Sequence, residues 1–199
     1  MDPRPTLLDE LAAHAYQYRP EQPFVLVSGA KSDEYLDCKL ALSQPKAMFV
    51  LGQVILRELP PDVVAIGGLT MGSDPIAMST AQASAGTEQP VRWFSVRKDQ
   101  KEHGQKKRIE GSIKPGDRVA IVDDVVTSGM STIAAIQACR EFGLSVAIAI
   151  VLVDRQQSSG LENIQRELGD GTPVKAIFTK TEIKERWLAR RTQKTLRVT

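Results

Sequence analysis

Residues 119–132 read VAIVDDVVTSGMST. Four apolar residues run into two adjacent carboxylates, Asp123 and Asp124, and a turn of hydroxyls and glycine follows. Such a run predicts a buried strand over 119–122. Residues 131–142 have helical spacing, and Gly143 stands in a good stopping position. In open parallel sheets, ligands sit outside the carboxyl ends of the strands, which is where this acidic pair falls. Side chains alternate along a strand, so one aspartate faces a ligand while the other braces the loop or meets a second group. The turn adds backbone N–H groups, the hydroxyls of Thr127, Ser128 and Ser131, and the free amides of a helix start. That is a phosphate cradle. Carboxylates accept hydrogen bonds from vicinal hydroxyls while amides grip a phosphate, and the combination suits a ribose 5-phosphate. An isolated Asp-Asp pair reads more simply as turn and capping residues; the apolar strand before it and the TSG turn after it favour the ligand.

The rest of the chain supplies a sheet for this strand. Leu7, Leu8, Leu11 and Ala15 share one face of a first helix that ends before Pro20. Residues 24–27 predict a strand and Ser28-Gly29 a turn, followed by the polar stretch AKSDEYLDCK. Pro45 opens a helix with Met48, Leu51, Ile55 and Leu59 at helical spacing, which Pro60-Pro61 stops. Strands are expected at 63–66, 92–96 and 174–178, and helices at 75–85 and 181–193. Residues 146–153 are almost continuously apolar, as in a central strand covered on both faces. The alternation of strands and helices predicts an α/β fold, a central, mostly parallel sheet flanked by helices. With no repeat or interdomain linker, residues 1–199 are read as one domain.

Bulk properties narrow the function. The chain has 199 residues, is 42% hydrophobic and carries a net charge of +2. It is long enough to bury a core and has no global field to attract nucleic acid or membrane. Cys38 and Cys139 form no CxxC pair, so two buried, reduced thiols are expected rather than a zinc or redox site. The start MDPRPTLLDELAAHAY lacks the basic end and apolar core of a signal peptide. The apolar run at 146–153 is too short to span a bilayer. A cytoplasmic protein is expected. GxxxxGK[ST], a strand-linked GxGxxG and HExxH are all missing, which disfavours P-loop, dinucleotide and zincin chemistry.

VAIVDDVVTSG resembles the phosphoribosyl diphosphate (PRPP) motif of the type I phosphoribosyltransferases, and three further stretches narrow the likeness. Residues 97–111, RKDQKEHGQKKRIEG, read at first as a solvated loop or a weak nucleic-acid patch; the nearby aromatics Trp93 and Phe94 belong to the preceding strand. The loop is similar to the catalytic loop of orotate phosphoribosyltransferases at Arg97-Lys98, Lys101, His103-Gly104 and Glu110-Gly111. SGAKSDEYLDCK (28–39) resembles that family's acceptor segment. GGLTMGSDPIA (67–77) resembles its diphosphate loop, and VLVDRQ (151–156) places Arg155 where the family uses an arginine on the acceptor carboxylate.

The resemblance implies the type I phosphoribosyltransferase fold, with about residues 1–40 forming a small N-terminal hood. It implies transfer of a phosphoribosyl group from PRPP to orotate, with Mg²⁺ held through PRPP and waters near Asp123 and Asp124 rather than directly by the protein. Lys101, His103, Asp123 and Asp124 are the implied catalytic residues. PRPP is expected to meet Thr70, Met71, Gly72, Arg97 and Lys98, the same four catalytic residues, and Val125, Val126, Thr127, Ser128, Gly129, Met130 and Ser131. Orotate is expected to meet Lys31, Tyr35, Leu36, Thr127 and Arg155. The family also implies a homodimer whose lid, residues 97–111, is lent to the partner's site. Two lysines of some members are replaced here by Val27 and Met71, and Lys31 or Lys39 is expected to substitute for the first. Competing readings are a purine phosphoribosyltransferase, a PRPP-sensing nucleic-acid regulator and an inactive scaffold. None of them explains the 28–39 segment and the KxHG loop together.

Overall fold

A computed structural model describes residues 2–25, 29–98, 108–169 and 171–196. The chain begins with helix α1 (Arg4–His14) and four short strands, β1 (Tyr16–Tyr18), β2 (Phe24–Val25), β3 (Lys31–Ser32) and β4 (Glu34–Leu36). β1 pairs with β4 and β2 with β3, both antiparallel, giving two small ribbons. Helices α2 (Cys38–Leu42) and α3 (Pro45–Leu56) lead into β5 (Ala65–Leu69), α4 (Asp74–Ser84) and β6 (Arg92–Val96). After β7 (Ile109–Gly111) come β8 (Arg118–Val126), α5 (Met130–Glu141), β9 (Ser145–Asp154), α6 (Gly160–Leu168), β10 (Val174–Thr179) and α7 (Lys180–Leu196).

The main sheet has six strands in the order β10-β9-β8-β5-β6-β7. Neighbours run parallel except β6 and β7, an antiparallel edge pair. Alternation along β8 divides the core. Ala120 and Val122 pack with Leu7, Leu51, Ile76 and Ile183, from α1, α3, α4 and α7. Val119 and Ile121 pack with Ala135, Ile136, Cys139 and Ile164, from α5 and α6. Helices therefore cover both faces, as the continuous apolar run of β9 requires.

The topology places the ligand crevice. From β5 the chain moves outward to β6, then returns to lay β8 on the opposite side of β5. The order reverses between β5 and β8, and such switch points hold ligands at the carboxyl ends of the strands. β8 is also longer than the expected 119–122 strand. Its ladder with β9 continues through Asp123↔Val151 and Val125↔Val153 to Val126↔Asp154. The acidic pair therefore sits inside the strand and not beyond its end. The observed pairing of β8 with β5 ends at Gly67↔Ile121, so on that side the aspartates open toward the turn that follows β5. No described helix is long and apolar enough to cross a membrane.

Candidate active site

Asp123 and Asp124 are both buried but have different neighbours. Asp123 Oδ1 accepts from the Asp124 amide at 3.0 Å, and Oδ2 accepts from Thr132 Oγ1 at 2.9 Å. This carboxylate braces the start of α5. Asp124 Oδ2 instead accepts from Lys39 Nζ at 2.9 Å. A Cβ built on Gly72 would lie 2.5 Å from Asp124 Oδ1 and 3.0 Å from Asp123 Oδ1. Both carboxylates thus converge on the β5–α4 turn. Burial, then the Asp124 charge, push the Asp123 carboxyl up to about 6 against the Thr132 and amide hydrogen bonds. Desolvation pulls the Lys39 ammonium down, but Asp124 outweighs it and the net shift is upward.

The phosphate cradle follows β8 without a break. Thr127 and Ser128 form the turn, and Gly129 takes the left-handed conformation (φ 82°) that caps α5. Met130 and Ser131 open that helix, whose first amides lack intrahelical acceptors and remain free for an anion. Asn163 Nδ2 donates to the Ser128 carbonyl at 3.1 Å and to the Ser158 carbonyl at 3.2 Å. Thr132, the last residue of the stretch 119–132, and Asn163 therefore hold this turn, and Asn163 lies outside the motifs read from the sequence.

The turn expected to meet the diphosphate is Thr70–Met71–Gly72, in which the Thr70–Met71 peptide is cis. Thr70, Met71, Arg97 and Lys98 line an open cavity of about 490 Å³. Arg97 Nε is buried with no hydrogen-bond acceptor among the described residues, a donor available to an anionic ligand. Lys101 and His103 lie outside the described residues, as do Val27 and Ser28.

Among the residues expected to meet orotate, Arg155 Nη2 donates to the Leu36 carbonyl at 3.0 Å, and the Arg155 amide donates to the Val126 carbonyl at 3.0 Å. One residue thus joins the acceptor segment to the donor strand. Tyr35 stacks on Phe24, with centroids 5.1 Å apart. Ser32, Glu34, Tyr35, Leu36, Arg155, Gln157 and Lys180 surround a narrow pocket. Glu34 is clamped by Lys180 and Lys184; burial raises its carboxyl, but the two lysines outweigh this and bring it down to about 2. Lys31 is exposed on β3, and among the described residues the cation on the acidic pair is Lys39. Cys38 and Cys139 are buried and unpaired with each other. Burial, reinforced by Asp124, raises the Cys38 thiol, and burial pushes Cys139 up to about 12, so neither is a ready nucleophile.

Residues 46–168 match the phosphoribosyl transferase domain. An orotate phosphoribosyltransferase of Aquifex aeolicus is 42% identical over 166 residues, covering 82% of this chain and 87% of that protein. One from Synechocystis is 40% identical over 183 residues, covering 92% and 89%. The chain belongs to the orotate phosphoribosyltransferase family. The fold agrees. The crystal structure of Mycobacterium tuberculosis orotate phosphoribosyltransferase in complex with PRPP superposes with a TM-score of 0.68 at 26% identity, covering 91% of each chain.

Proposed function

We propose that the protein transfers the 5-phosphoribosyl group of PRPP to N1 of orotate, giving orotidine 5′-phosphate and diphosphate in de novo pyrimidine synthesis. The observation that carries this is the Arg155–Leu36 junction. It sets a guanidinium, a good bidentate partner for a carboxylate, one residue beyond the partner of the donor strand's last residue. A purine base carries no carboxylate for that cation to pair with.

The demanding step is departure of a highly charged diphosphate from the anomeric carbon. Cations and amides aimed at that developing charge lower the barrier. Arg97, Lys98 and the amides of residues 70–72 meet the diphosphate. Asp124, supported by Asp123, accepts from the ribose hydroxyls, and residues 126–131 surround the 5-phosphate. Arg155 and the backbone at Tyr35–Leu36 fix orotate, with Thr127 beside it. Lys101 and His103 act on the diphosphate from the loop at 97–111.

Magnesium fits this site through the donor rather than through a protein cage. Two adjacent carboxylates, Asp123 and Asp124, face the Thr70–Met71–Gly72 turn. Mg²⁺ retains water and binds through one or two carboxylates plus substrate phosphates. When bound, it neutralises charge on the leaving diphosphate. We further propose a cytoplasmic homodimer with the 97–111 loop shared between subunits. Phe49 and Met78 support the dimer: both are exposed, at 72% and 43%. They lie close in sequence to the α3–α4 crossing, where Gly52 meets the Ser79 backbone.

The test is orotate consumption with PRPP and Mg²⁺, run beside hypoxanthine, adenine and uracil. Orotate is the expected acceptor; turnover of a purine without turnover of orotate overturns the assignment.

A further inference from the structure

Lys39 is absent from the motifs that define the donor site, yet among the described residues it is the cation in contact with the acidic pair. It lies in the first turn of α2, where the Asp37 side chain accepts from its backbone amide at 3.1 Å. That cap fixes the turn that carries the ammonium across to β8. There Nζ donates to Asp124 Oδ2 at 2.9 Å, between residues 85 positions apart. The Asp124 side chain is only 10% exposed and that of Lys39 is 53% exposed, so the carboxylate is fixed by burial while the cation reaches it from the solvent side.

The contact is selective for one oxygen. Lys39 takes Oδ2, and Oδ1 is the oxygen that faces Gly72. Asp123 already spends both oxygens on Thr132 and the Asp124 amide. The Asp124 Oδ1 atom is therefore the acceptor least committed within the pair. Without Lys39, two buried carboxylates on consecutive residues repel at short range, and Asp124 loses the cation that its Oδ2 accepts from. Aligning a carboxylate before the ligand arrives removes an ordering cost from binding.

We propose that Lys39 is a positioning residue for the donor: it holds Asp124 Oδ2 so that Oδ1 is presented to the ribose hydroxyls of PRPP. It acts through Asp124 and not on orotate. This rests on the reaction assigned above, and it differs from the expectation that Lys39 replaces an acceptor-side lysine lost at Val27.

The test is calorimetric titration of the full-length protein with PRPP and Mg²⁺, in wild type, Lys39→Met, Lys39→Arg, Asp124→Asn and the Lys39→Met/Asp124→Asn double variant. Loss of a charge-assisted hydrogen bond predicts that Lys39→Met weakens PRPP binding by roughly tenfold or more. Lys39→Arg should recover most of it. In the Asp124→Asn background Lys39→Met should add little, because neighbours acting as one unit are not additive. Steady-state kinetics should show KM for PRPP rising more than KM for orotate. Unchanged PRPP affinity in Lys39→Met, fully additive losses, or a shift confined to the orotate KM overturns the inference. Wild-type protein that binds no PRPP overturns the assigned reaction, and this inference with it.

Discussion

Gly72 shows how little room the donor site leaves. A methyl group there meets Asp124 Oδ1 at 2.5 Å, too close for any real contact, and Asp124 is fixed from the other side by Lys39. Gly72→Ala must therefore displace the acidic pair or the diphosphate turn. Displacements of about an ångström at a reacting site cost on the order of a hundredfold, so kcat/KM for PRPP should fall by about that factor with the melting temperature little changed. Wild-type kinetics in Gly72→Ala contradict this geometry. Asp123 gives a second check, in the unliganded protein. Its folded pKa is raised from 3.8 to about 6, so the folded state holds the extra proton. The resulting stability is complete below the unfolded value and is lost as pH rises through the folded one. Relative to Asp123→Asn, wild type should lose stability between about pH 4 and pH 6 and level off above. Denaturant melts across that window test the sign; a constant difference contradicts it. The aspartates themselves were legible because an acidic pair closing an apolar run is locally anomalous. Lys39, Thr132 and Asn163 were not legible as supports: Thr132 and Lys39 stand inside motifs, but sequence does not show which group each holds, and the bonds that do so run from three separate helices.

At the scale of elements, the clamp of Glu34 by Lys180 and Lys184 ties β4 to the start of α7. Glu34 and Lys180 also line the narrow pocket beside Tyr35, Leu36 and Arg155, the proposed orotate side. Glu34→Gln leaves two lysines without their partner. Allowing for the partial exposure of both, the loss should be on the order of 2 kcal/mol, or several degrees in Tm for a chain of this size. The orotate KM should rise with it. Because the Glu34 folded pKa lies at about 2, below its usual 4.5, this stability is present above the unfolded value and fades as pH falls toward the folded one. The difference between variant and wild type should accordingly shrink below pH 4; a difference that grows there contradicts the clamp. Long elements such as α3, β9 and α5 were readable from their apolar spacing. The acceptor segment was not: β3, β4 and α2 are two to five residues long, too short for either period to register. β8 was read short because carboxylates look like a strand end, whereas its pairing with β9 carries the ladder through them.

For the whole molecule, the reversal of strand order between β5 and β8 brings together residues from five distant stretches. Alternating strand and helix patterns were sufficient to expect a parallel sheet; the antiparallel β7 edge and the strand order were not, since they depend on which apolar faces meet in space. The same holds for association between subunits. If the exposed Phe49 and Met78 face a second copy, sedimentation should find a dimer for wild type and a shift toward monomer for Phe49→Glu. Activity per chain should fall on dilution in that variant, because the shared loop leaves the partner's site. An unchanged dimer in Phe49→Glu places the interface elsewhere. The most direct measurement of the central claim is PRPP-dependent orotate turnover by wild type and by Asp123→Asn/Asp124→Asn, with thermal melting of both. The account predicts turnover by wild type and a loss of roughly a hundredfold or more in the folded double variant. A double variant that melts cooperatively and turns over orotate at the wild-type rate contradicts it.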